Sequence, residues 1–376
     1  MIRLNIPSIE EDDLYAVREV IASGYLVQGQ RVAAFEQTVA DYVGTQYAVA
    51  VSNCTAALHL ALLALDVHPG DLVLVTAYSW VATANVIELC GAQPVFVDIK
   101  PDTFNMNPEA LEAILTRLMS VSDTARRVRA ILPVHSFGQM AEMPAIMELA
   151  GRYELPVVED AACALGATLN GQQAGSWGTM GCFSFHPRKA VTTGEGGMIT
   201  TNDATLARRL RALRNHGQDP ETMTPTFIMP GFNYRMTEFQ GALGLTQMAK
   251  LDRIIQARRS LSANYDMLLH ETEIQSPAAA SGHLPVYQSY VALLPVKVML
   301  SRSGLISDLK KDGIETNIGT WHMPLTAYFS ARYGYRVGDF PVTDQVFARA
   351  LTLPLYEGLT ISQQTSVINS ISNYAA

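Results

Sequence analysis

The sequence predicts an α/β protein: a mainly parallel sheet with helices on both faces, followed by a smaller C-terminal α/β part. Three observations lead there. Short β-branched runs alternate with amphipathic segments between residues 47 and 215, most of those runs are continuously apolar, and the texture changes after about residue 245. Alternation of strand and helix implies parallel pairing, because a crossover must carry the chain back before the next strand can lie alongside. A run that is apolar at every position belongs to a strand covered on both faces.

The expected strands are 47–52 (YAVAVS), 72–76 (LVLVT), 94–98 (PVFVD), 130–134 (AILPV), 156–160 (PVVED), 182–185 (CFSF) and 197–201 (GMITT). Helices are expected at 55–65, 80–89, 108–118, 142–153 and 203–215. The third opens with Asn107 as N-cap and Pro108 at the first helical position, where a missing N–H costs nothing. Residues 241–271 read as one helix long enough to bridge two bodies, followed by a strand-like stretch at 287–296 and a helix candidate at 301–313. A chain of 376 residues exceeds the size at which one core stops growing, so a large part at 1–245 and a small one at 246–376 are expected.

Charge narrows the function classes. Lys and Arg total 27 against 35 Asp and Glu, a net charge of −8, which disfavours nucleic acid and anionic membrane as partners. The N-terminal MIRLNIPSIEEDDL is acidic without an apolar signal core, and the richest apolar stretch, ALHLALLAL, is too short to cross a bilayer. A cytoplasmic protein is expected. Cys54, Cys90, Cys163 and Cys182 form no CxxC spacing, and no HExxH occurs, so reduced thiols and no metal are expected.

In open parallel sheets ligands sit beyond the carboxyl ends of the strands. Four such places stand out. SNCTAALHL opens a helix with small polar residues, which suits a phosphate on free backbone N–H groups and suits an ordinary capped helix equally. Trp80 follows the second strand, where it can stack on a planar ring or be core. Asp160 ends the fifth in apolar company, so it needs a cationic partner unless it caps the next turn. Lys189 in CFSFHPRKAVTTGEGG is either a surface lysine or an amine that condenses with a carbonyl. Together the four are the parts that pyridoxal phosphate requires. Neither GxGxxG nor GxxxxGKS occurs, which disfavours a dinucleotide-binding enzyme.

At these residues the sequence resembles the DegT/DnrJ/StrS family of sugar aminotransferases. The resemblance runs through SGYLVQGQRVAAFEQTVADYVGTQYAVAVSNCTAALHLAL, GAQPVFVDI, ILPVHSFGQMAEM, VVEDAACALGA, FSFHPRKAVTTGEGGMI, GFNYRMTEFQGALG and HMPLT. It implies that Lys189 forms the internal aldimine with pyridoxal 5'-phosphate and carries the proton. Asp160 would keep the pyridine nitrogen protonated, and Trp80 would stack on the ring. Cys54, Thr55 and Ser184 would cradle the phosphate, which Asn233 would reach from a neighbouring subunit of a homodimer with shared active sites. His322 resembles a histidine at the substrate end, and Arg235 is placed there with no assigned role. Relatives usually carry His or Gln at the position of Cys163, facing the cofactor's phenolic oxygen, where a thiol donates weakly. Cys54 likewise stands where many relatives have glycine.

The implied reaction is ping-pong transfer of an amino group from L-glutamate to a nucleotide-linked keto sugar. A basic entrance for the nucleotide would be 208–217 (RRLRALRNHG), unless those arginines form a solvated face. An aminotransferase acting on a cyclitol ketone would share every cofactor residue. A dehydratase of this fold would carry histidine in place of Lys189, and a non-catalytic regulatory relative would need neither Lys189 nor Asp160.

Overall fold

The structure, a computed structural model, describes residues 1–296 and 302–375. The main sheet runs in the order Tyr47–Val51, Gly197–Thr201, Met180–Ser184, Val158–Asp160, Val128–Leu132, Leu72–Thr76, Gln93–Val97. Isolated parallel bridges from Ile131 to Val157 and from Val134 to Asp160 join its two halves. Gly197–Thr201 is antiparallel to both neighbours, and every other pairing is parallel. The mainly parallel sheet expected from the apolar runs is therefore present.

Helices cover both faces of the sheet. On one, Leu58, Leu60 and Leu62 of Cys54–Ala64 pack with Val86 and Ile87 of Ala82–Leu89. On the other, Phe35 and Val39 of Gln30–Val43 meet Leu251 and Ile254 of the long helix Glu238–Leu269. Gln30–Val43 and Glu11–Ser23 precede the first expected element and are additions to the sequence reading. Gly244 lets the long helix approach this closely, since a Cβ there would meet the Phe35 ring at 2.7 Å. Helices Pro108–Met119, Met143–Arg152 and Ala204–Arg214 fall within two residues of their expected bounds.

Beyond the long helix the sheet becomes antiparallel, with Tyr290–Leu293 and Asn317–Ile318 on either side of Ala350–Leu353. Tyr265, Tyr290, Leu305, Leu351 and Val367 form an apolar core of their own. The helix expected at 301–313 is Arg302–Lys311, and position 301 lies outside the described residues. Residue 245, the expected boundary, falls inside Glu238–Leu269.

Arg258 of the long helix ties these parts together. It is 2% exposed and, among the described residues, has no carboxylate within ion-pair distance; its guanidinium donates to the carbonyls of Gln288 (3.0 Å) and Leu355 (3.3 Å) and to Asn5 Oδ1 (2.9 Å). Burial lowers its pKa to about 10, which leaves it protonated at neutral pH. Asn5 and Gln288 in turn donate to the carbonyls of Pro187 (2.9 Å) and Arg188 (2.8 Å). The turn that carries Lys189 is thus held from the N-terminal segment and from the C-terminal part at once.

Candidate active site

The site lies at the carboxyl ends of the parallel strands. Asp160 ends Val158–Asp160, Ser184 ends Met180–Ser184, and Cys54 and Thr55 begin the helix that follows Tyr47–Val51. Asn53 caps that helix by accepting from Ala56 N–H at 2.8 Å. Among the described residues the N–H groups of Cys54 and Thr55 meet no acceptor, the usual state of a first helical turn and the one that suits an anion. Gly197 makes room: a Cβ on it would meet the Asn53 carbonyl carbon and oxygen at 2.5 Å.

Asp160 is 4% exposed, and its carboxylate accepts from Thr83 Oγ1 at 2.7 Å and from Ala162 N–H at 3.2 Å. Burial holds its pKa above the usual carboxylate value, against the pull of those two donors, Lys189 and His135. Two donors leave acceptor capacity unused on an ionised carboxylate. A buried anion of this kind is stabilised by a cationic N–H, which is what a protonated pyridine ring supplies.

Lys189 stands in a turn closed by its own N–H on the His186 carbonyl at 2.8 Å. Its Nζ donates to Cys163 Sγ at 3.1 Å. Burial disfavours the ammonium, but Cys163, Cys54 and Asp160 outweigh it and the pKa is raised. Burial pushes the Cys54 thiol well up, with Asp160 adding to the effect. Lys189, Cys163, Cys54 and Asp160 therefore lie close together, with Ser184 at the end of the strand whose Cys182 pairs with Asp160, and these residues fit pyridoxal phosphate: an amine, an anion-seeking helix start and a buried acceptor.

The remaining expected residues lie further out. Trp80 is 61% exposed. Asn233 is exposed in the loop whose Tyr234 carbonyl accepts from Ser52 N–H at 2.8 Å, beside the helix start. Arg235 donates to Asn215 Oδ1 at 2.5 Å. His322 is 2% exposed, with Nε2 at 3.0 Å from Asp344 Oδ1, off the hydrogen-bonding direction. It reaches the site's wall because Trp321–His322 pairs with Tyr78–Ser79, the strand that leads into Trp80. The arginines of 208–217 do not form a basic entrance. Arg208 is paired with Asp219 (2.7 Å), Arg209 with Asp66 (2.9 Å) and Arg214 with Glu36, while Arg211 lies over Tyr47.

Three residues behind the site escaped the sequence reading. Thr83 holds Asp160 directly. Glu159, fully buried, accepts from His135 Nε2 and from the N–H groups of Gly175, Trp177 and Gly178, all within 2.8 Å. His135 Nδ1 accepts from Ala141 N–H, which leaves Nε2 as the nitrogen that donates to Glu159. An acid inside an apolar strand was the available signal for Glu159, since such a group persists only when fully hydrogen-bonded.

A parallel sheet with a buried acid at one strand end and a lysine facing it defines a cofactor-dependent transferase. The model of the DegT/DnrJ/EryC1/StrS aminotransferase family matches residues 7–372, and the chain belongs to that family of pyridoxal phosphate-dependent aminotransferases. It is 39% identical over 349 residues to GDP-perosamine synthase of Caulobacter vibrioides, covering 91% of this chain and 90% of that one. A crystal structure of a family member from Brucella abortus superposes with a TM-score of 0.90 at 32% identity, over 98% and 96% of the two chains. A putative sugar aminotransferase from Streptococcus pneumoniae, in its PLP form, superposes at 0.92 with 26% identity, over 100% and 98%. Among the described residues no helix is long and apolar enough to cross a membrane.

Proposed function

We propose that this aminotransferase moves the amino group of L-glutamate to the keto group of a nucleotide-linked keto-deoxy sugar, giving a nucleotide-linked amino sugar. The observation that carries the reading is the 39% identity, across nine-tenths of both chains, to a protein named for making a nucleotide-linked amino sugar.

Pyridoxal phosphate, when bound, supplies a ring that accepts the electrons released as a proton leaves the substrate carbon. The chain's residues do the rest. Asp160 keeps the ring nitrogen protonated, and Thr83 and the Ala162 N–H keep Asp160 aimed. The N–H groups of Cys54 and Thr55, with the Ser184 hydroxyl, hold the phosphate. Lys189 would hold the cofactor at rest, and its freed Nζ would be the group that moves the proton between the two carbons. Trp80 would stack on the ring. Asn233 of a second copy completes the phosphate site, which makes the homodimer obligatory, and His322 and Arg235 stand toward the sugar. Residues 1–245 form the cofactor-binding part and 246–376 the smaller one, a division supported by the separate core around Tyr290 and Leu351. We place the enzyme in the cytoplasm.

A cyclitol ketone as acceptor would leave all these contacts unchanged, and the name of the relative favours the sugar. The test is the visible spectrum of the holoenzyme with excess L-glutamate, followed by a panel of nucleotide-linked keto sugars. Glutamate should abolish the visible band, and one sugar should restore it while accumulating an amino sugar. Restoration by a cyclitol ketone alone, or no response to glutamate, would overturn the acceptor or the donor respectively.

A further inference from the structure

We propose that Cys163 is a positioning residue for Lys189: its sulfur accepts the hydrogen bond of the free Nζ and holds the amine in place whenever it is not bonded to cofactor. The inference rests on the function just proposed, and goes beyond it because it assigns the thiol to the lysine rather than to the cofactor ring. The contact is direct, Nζ to Sγ at 3.1 Å, and both residues are half-buried.

Geometry makes the pairing specific. Cys163 lies three residues after Asp160, beyond the strand end, while Lys189 comes from the turn after the next strand. Asp160 accepts from Thr83 and Ala162, and among the described residues no hydrogen bond joins it to Nζ. The charged and titratable groups around the amine are Asp160 on the strand, Cys54 at the helix start, Cys163, and His186 in the lysine's own turn. Of these only Cys163 is within hydrogen-bond distance of Nζ. A sulfur acceptor at this distance fixes the direction in which the amine points. The lysine released by the amino donor therefore stays close to the reacting carbon without drifting to solvent.

The consequence can be read without turnover. In cofactor-free protein, acetic anhydride acetylates only neutral amines, and Lys189 is scored by mass spectrometry against the exposed Lys310 of the same chain. Removing the sulfur withdraws one of the interactions that favour the ammonium. Cys163→Ala should therefore raise the Lys189 to Lys310 ratio at pH about 8 by roughly three- to tenfold, a tenfold change in free amine corresponding to one pKa unit. Cys163→Ser, which keeps a hydrogen-bonding atom, should fall between. Both variants must retain the wild-type circular dichroism, and the serine variant guards against a packing effect of alanine. A ratio within about twofold of wild type in both variants, or acceleration by serine equal to that by alanine, would overturn the proposal. Reductive trapping of pyridoxal phosphate is scored separately. Lys189 trapped in all three proteins with unchanged acetylation sinks this inference alone, whereas no trapping in wild type sinks the function on which it rests.

Discussion

Asp160 shows at the scale of one residue how a functional group costs stability. Burial raises its pKa, so the folded protein binds that proton more tightly than the unfolded chain does. The sign follows: the group's stabilising contribution is complete below the unfolded pKa and is lost as pH rises through the folded one. Folding disfavours the charged form of this carboxyl, which two hydrogen bonds hold. Asp160→Asn removes that charge and nearly preserves the shape. Thermal unfolding of the cofactor-free proteins should place Asp160→Asn at or above wild type near pH about 7, the gap closing as pH falls through the carboxylate range, while affinity for pyridoxal phosphate drops. A variant that melts well below wild type at every pH would contradict this. Asp160 stood out in the sequence because a charged residue directly after an apolar run has few structural uses, whereas Lys189, four residues beyond its run, stood out only in company with the other three places. Thr83 was not, since a threonine in ATAN looks like any helical threonine until Asp160, 77 residues away, is brought against it.

Among the elements, the strands were legible because burial on both faces leaves a continuous apolar run, as in Leu72–Thr76, every residue of which is buried. The strand Val158–Asp160 is shorter than the 156–160 expected; Pro156 offers no N–H, and the neighbouring strand enters through the isolated bridge at Val157. Helix Gln30–Val43 places Val32, Phe35, Val39 and Val43 on one buried face, a helical spacing present in the sequence but outside the strand–helix alternation that organised the reading. The two-residue pair Trp321–His322 with Tyr78–Ser79 had no local signal at all. Pairings that short are decided by tertiary packing, and this one brings a C-terminal segment beside Ser79, whose hydroxyl lies 3.1 Å from that of Thr83. The arginines of Ala204–Arg214 illustrate the reverse case, where a basic run suggested a ligand and proved to be tied to Asp219, Asp66 and Glu36.

Considered as a whole, the molecule gathers its active site from distant parts of the chain. Arg258 orders Asn5 and Gln288, and these hold the carbonyls on either side of the peptide bond that precedes Lys189 by one residue. The exposed Asn233 and Trp80 extend the site to the protein's surface, where the proposed second copy binds. A mixed-dimer experiment tests this arrangement. If Asn233 serves the neighbouring subunit, a dimer of one Lys189→Ala chain and one Asn233→Ala chain holds one intact site and one doubly damaged site. Co-refolding equal amounts of the two weakened variants should recover about a quarter of wild-type activity, since about half of the dimers are mixed. No recovery would place Asn233 in its own chain's site. The account as a whole turns on Lys189. The most direct measurement is to load the protein with pyridoxal phosphate, reduce it with borohydride and map the modified residue by peptide mass spectrometry. The cofactor should be found on Lys189, and Lys189→Ala should yield no specific adduct; a stoichiometric adduct on any other lysine, or none on the wild-type protein, would contradict the site described here.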